Sequence, residues 1–221
     1  MKFLKIVLVT LAIALNLLLV PAAWASSDKP KYTSNPDYIE VTETLTALLA
    51  AKNSPSPEQN ETYTPEELQQ KISQLEFLKY SLETGKTWGQ CRNDTGKTLA
   101  VYGPKAKKSV SEYDNALYFL EAGQTTKDKW DCDGFYLPSD LKATDLSAID
   151  KAAQALTGSV AVKIVDGTQL VATANPETTA VEFNVPTAKA FKPGEVNWFV
   201  PDVSQAYIDT QLPNAPTKQN D

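Results

Sequence analysis

Apolar positions fall into three regimes along the 221-residue chain, and each predicts a different kind of element. Residues 6–20 are almost continuously apolar, broken only by Thr10 and Asn16. Residues 36–85 carry apolar side chains at intervals of three and four, the spacing of one helix face. From residue 86 onward short alternating runs take over, separated by Gly, Pro, Asn and Asp, as in half-buried strands.

In the helical regime, Asn35 is placed to cap a first helix with Pro36 at its first position. Tyr38, Val41, Leu45, Leu48 and Leu49 form its apolar stripe, and Glu40, Thr44 and Lys52 the polar face. Residues 53–63, with Pro55 and Pro57, read as a linker. Thr64, Pro65 and Glu67 then make a capping box, the strongest helix start in the chain. Leu68, Ile72, Leu75, Leu78 and Leu82 form the second stripe. Phe77 and Tyr80 are expected to widen it toward the β region, and Gly85 to stop the helix in the left-handed conformation. The two helices are expected to form an antiparallel hairpin.

Strands are expected at 98–102, 116–121, 133–137, 159–165, 168–174, 179–185 and 196–200, with one short helix at 146–156. Asp166-Gly167 is the best hairpin signal, because both residues tolerate the positive φ of a tight turn. The closing strands are expected to form a meander. The predicted fold class is α+β: an antiparallel helical hairpin followed by a mostly antiparallel β domain, barrel or sandwich, with one inserted short helix. The expected organisation is a signal peptide at 1–25, a loose segment at 26–35, the hairpin at 36–85, the β domain at 86–208 and a disordered tail at 209–221.

The leading apolar run changes the picture of where the protein works. Lys2 and Lys5 precede it, and Ala23-Trp24-Ala25 supplies the small-x-small pattern of a signal-peptidase site. The run of about fifteen residues is shorter than the roughly twenty needed to cross a bilayer core. The expectation is an exported chain starting at Ser26, whose mature form does not span the membrane. Periplasm, thylakoid lumen and external medium all fit. No Cys follows the cleavage site to carry a lipid, and no Arg-Arg pair precedes the apolar run.

Charge and composition narrow the chemistry. The formal charge is −6, and loss of Lys2 and Lys5 makes it more acidic still. Such a chain is poorly suited to nucleic acid or to anionic membrane surfaces. It contains no histidine, which excludes Ser-His-Asp and Cys-His catalysis, His-ligated haem and the usual zinc and copper sites. Cys91 and Cys132 are the two cysteines, and export predicts a disulfide between them.

That bridge singles out one neighbourhood. Trp88 precedes Cys91 and Trp130 precedes Cys132, so a disulfide draws both indoles toward one region. The candidate ligand surface is Trp88, Asn93, Trp130, Asp131, Asp133 and Tyr136: an aromatic platform for a sugar or peptide, with polar contacts around it. Structural packing on the disulfide is the competing reading. A calcium loop at 130–136 is disfavoured, because Lys129 stands where an oxygen ligand is needed and no distal Glu follows. Asp133-Gly134 is instead expected to turn. Asp131, Asp133 and Glu121 are the least generic carboxylates for glycoside hydrolysis, which needs two acids and no histidine. Residues 94–98 (DTGKT) lack the spacing of a phosphate loop, and the Lys105, Lys107 and Lys108 cluster reads as a solvated loop. Asn60 and Asn93 lie in glycosylation sequons. No catalytic residue, metal or cofactor is assigned. The leading expectation is a non-enzymatic exported protein that binds a partner protein, glycan or small ligand. The alternatives are a carboxylate-based polysaccharide hydrolase and an assembly factor docking through its hairpin.

Overall fold

The computed structural model describes residues 31–53, 63–85, 87–143, 154–155, 158–184 and 189–218. The expected signal peptide, the linker interior and most of the expected helix at 146–156 lie outside these residues.

Helices α1 (Pro36–Lys52) and α2 (Pro65–Thr84) start where their caps predict. The Asn35 side chain accepts the Asp37 N–H at 2.8 Å. Thr64 and Glu67 close a reciprocal capping box. The helices run antiparallel: Lys52 at the end of α1 donates to Gln69 near the start of α2, while Tyr38 donates to Glu83 at the opposite end. Val41 and Leu45 of α1 are buried against Leu68, Ile72, Leu75 and Leu82 of α2. Phe77 and Tyr80 do not widen this seam: they are 73% and 63% exposed. At about 100° per residue, Phe77 points almost opposite to Leu75, so it cannot join the stripe. Gly85 is not left-handed either (φ −113°). Its N–H donates to Ser81 O, and an added Cβ would lie 2.6 Å from that oxygen.

The β region is a two-sheet sandwich and not a closed barrel. The strands are β1 (Gln90–Asp94), β2 (Leu99–Gly103), β3 (Ala116–Leu120), β4 (Gly134–Leu137), β5 (Lys142–Ala143), β6 (Gln154–Ala155), β7 (Val160–Lys163), β8 (Gln169–Ala174), β9 (Val181–Phe183) and β10 (Lys189–Phe191). One sheet has the order β1-β8-β9-β5-β6, the other β10-β7-β4-β2-β3. Two pairings, β1 with β8 and β5 with β9, are parallel, and the other named pairings are antiparallel.

Side chains from both sheets share one core, with Cys91, Leu170 and Phe183 on one side and Val101, Phe135 and Val162 on the other. The Cys91–Cys132 disulfide lies within it, Cα–Cα 5.9 Å, tying β1 to the segment that enters β4. The outer face of the second sheet, with Tyr102, Tyr136 and Ala161, is covered by Trp198, Val200, Val203 and Ile208. Ile208 ends the short helix α3 (Gln205–Ile208).

Several expectations are revised. Asp166-Gly167 turns the chain, with Gly167 at φ +80°, but makes no hairpin: β7 and β8 belong to different sheets, so the turn is a corner of the sandwich. A turn signal sets the local backbone and not the partner of the strand that follows. Residues 154–155, expected at the end of a helix, pair with β5. Residues 196–200 form no strand and cap the sheet instead. Asp133-Gly134 is not a turn. Asp133 N–H donates to Tyr102 O, and Gly134 (φ +154°) opens β4 with Val162 O 2.0 Å from any added Cβ. The tail expected to be disordered is pinned through residue 218: Asn214 and Ala215 donate to Phe119 O, and Lys218 to Thr125 O. Pro213 and Pro216 do not prevent this, because the bonds use the N–H groups of other residues, and Pro216 needs only its carbonyl to accept from Lys127.

Candidate functional site

The bridge sets the geometry of the site. Cys132 lies in the core, while Asp131 and Asp133, the residues before and after it, both face one outer side. That side is a cleft of about 700 Å³ between the N-terminus of α1 and the second sheet. Asp37 and Glu40 reach it from α1, Asp166 from the sandwich corner, and Asp114 and Asn115 from the approach to β3. Phe191 and Trp198 supply apolar wall.

The acids are organised by specific contacts. Asp131 accepts the Gly89 N–H at 2.8 Å, and Asp166 lies near enough to feel its charge. Asn35, the cap of α1, donates its amide to Asp166 at 2.6 Å. Asp37 accepts the Asp166 backbone N–H at 2.8 Å. Asp133 accepts from Asn115 at 3.3 Å. Lys163, at the end of β7, pairs with Asp37 at 2.6 Å and Glu40 at 3.2 Å. One helix N-terminus is thus tied to the sandwich by its cap and its first-turn acid together.

Crowding partly buried acids in one cleft raises the pKa of three of them, Asp131, Asp133 and Asp166. Burial pushes Asp133 up to about 6, against the pull of the Asn115 hydrogen bond, and Asp166 and Asp37 raise it further. Burial raises the Asp131 and Asp166 carboxyls too. The neighbouring Asp131 charge raises Asp166 further, because two carboxylates close together do not both ionise cheaply. Lys163 is held charged: burial opposes its charge, but the neighbouring Asp37 and Glu40 outweigh it. Asn115 is 4% exposed, and among the described residues its Oδ1 has no hydrogen-bond donor. Among the described residues, no three carboxylates or cysteines form a group that could hold a metal ion.

The structure divides the sequence candidates. Asp131 and Asp133 line the cleft together. Trp130 is half-buried and outside the cleft lining, edge-on to Tyr118 at 5.1 Å and closely packed over Gly103. Trp88 is half-buried, and its carbonyl accepts the Gly167 N–H. Asn93 is not a surface residue: it is fully buried, donating to Lys97 O and Leu120 O and accepting from Thr95. Tyr136 is buried as well, donating its hydroxyl to Pro201 O under the C-terminal cover. Glu121 is exposed and lies outside the cleft lining.

Asp37, Asn115, Lys163 and Asp166 are the site residues that sequence reasoning missed. One signal was present: Lys163 is the single charge in the otherwise apolar run of residues 160–165. Asp37 looks like any acid in a helix first turn, and Asp166 like any turn residue. No family model matches the chain, and no curated protein or solved structure matches it either.

Proposed function

We propose that this protein is an exported, non-enzymatic binding protein whose cleft takes a small ligand or exposed segment bearing amino groups. The observation that carries the reading is the concentration of Asp37, Asp131, Asp133 and Asp166 in one cleft around a single Lys163. A bound ammonium relieves the repulsion between the Asp131 and Asp166 carboxylates. Trp198 and Phe191 supply apolar wall for the body of the ligand, and ammonium groups near aromatic faces gain further attraction. The disulfide and the N-terminal pattern support action outside the cytoplasm. Calorimetric titration with 1,4-diaminobutane and glucosamine, with glucose as the neutral control, tests the reading. Saturable binding of the amines that tightens from pH 5 to pH 7 supports it. Absence of saturable binding across that range overturns it.

A second reading rests on a separate observation. Asp133 keeps its proton to about 6 inside a cleft, which suits a general acid in histidine-free glycoside hydrolysis. Release of reducing ends from a polysaccharide, lost in Asp133→Asn, would establish it. A docking role through α1 has less support, because Val41 and Leu45 are covered by α2.

A further inference from the structure

A second, smaller cavity of about 120 Å³ lies on the far side of the Lys163–Glu40 pair, between α1, α2 and β10. Its character is opposite to that of the acidic cleft. Val41, Leu75, Leu78 and Val165 line it with hydrocarbon, and Lys71, Lys163 and Lys189 bring three ammonium groups. Two of these are neutralised within the protein: Lys163 by Asp37 and Glu40, Lys189 by Glu40. Lys71 has no hydrogen-bond or ion-pair partner among the described residues. Burial, and after it the nearby Lys189 charge, disfavour its protonated form. A half-buried, unpartnered ammonium at the mouth of an apolar cavity is costly unless an anion joins it.

We infer that this cavity binds a small monocarboxylate, its carboxylate on Lys71 and its hydrocarbon stem against Leu75, Leu78 and Val165. The charge count fixes the valence. One cation is left without a counter-charge, and the Glu40 carboxylate beside the cavity repels a second negative charge. The apolar lining fixes the stem, since a bare inorganic anion would leave those walls unused. The volume limits that stem to a few carbons.

Sodium butyrate is the probe, titrated into the purified protein while the Leu78 and Val165 methyl signals are followed by NMR. Saturable shifts are expected, with Kd raised at least tenfold in Lys71→Gln and little changed in Lys71→Arg, which keeps the charge. Butanol is expected not to saturate. Absence of saturation with butyrate, or equal affinity in Lys71→Gln, overturns the inference. So does sulfate binding as tightly as butyrate, because the apolar walls would then play no part.

Discussion

Asp131 and Asp166 face the same cleft at the point where the first helix joins the sandwich. One lies beside the disulfide and the other at a corner between sheets, and the cap of α1 holds the second in place through Asn35. The cleft therefore depends on three elements remote in sequence, and changes to any of them reach its chemistry.

The first consequence concerns pH. A carboxyl whose pKa is raised on folding contributes stability below its unfolded value near 4, and loses it as pH rises through the folded value. Asp133 at about 6, with Asp131 and Asp166 shifted the same way, makes unfolding free energy fall between pH 4 and pH 6 or above. Asp166→Asn keeps a hydrogen-bonding side chain and removes one charge. It should flatten this slope and leave the variant more stable at pH 8 by about 1 kcal/mol after allowing for solvent screening. Urea unfolding at a series of pH values measures both. An unchanged slope would remove the dyad from the explanation.

The Asp37–Lys163 pair makes the second prediction. Asp37 is 7% exposed, so truncating its cation strands a buried carboxylate. Lys163→Met should cost about 2 kcal/mol in urea unfolding, and Asp37→Asn combined with it should recover part of the loss. If the double variant is as unstable as the sum of the two singles, the pair is not coupled.

Asn115 donates its side-chain amide to Asp133. Asn115→Ala removes a contact that favours the ionised acid, so the Asp133 pKa should rise above about 6. Carboxyl ¹³C titration reads this directly, and a fall would contradict the assignment.

Reduction of Cys91–Cys132 should destabilise the sandwich by about 4 kcal/mol in the chain-entropy model. Because Cys132 lies between Asp131 and Asp133, the double Cys→Ser variant should also weaken amine binding. Chemical denaturation with and without reductant measures the first effect. Equal midpoints would mean that core packing alone holds the two sheets together.

The helices were legible because their determinants are local. Thr64 with Glu67, and Asn35 with Pro36, specify starts within four residues, and Leu75 and Leu82 report a face by spacing alone. The sandwich was less legible because pairing is non-local. β1 (Gln90–Asp94) is a polar stretch of five residues whose partner β8 runs parallel, so no adjacent hairpin announces it. The Asp166-Gly167 corner carries the chemistry of a hairpin without being one. Of the candidate site, Asp131 and Asp133 were readable from their alternation with Cys132. Asn93 and Tyr136 were misplaced, because polar groups near a disulfide look the same in sequence whether they face solvent or satisfy buried backbone. Asp37, Asn115 and Lys163 come from three separate elements, and only the folded chain gathers them.

The most direct test of the account is carboxyl ¹³C NMR on the purified protein, titrated from pH 3 to pH 8 with and without saturating 1,4-diaminobutane. Asp131, Asp133 and Asp166 should titrate well above the usual aspartate range in the free protein. Their titrations should then move down when the diamine is bound, because a cation among them favours their charged forms. Ordinary values near 4 for all three, or values untouched by the diamine, would contradict it.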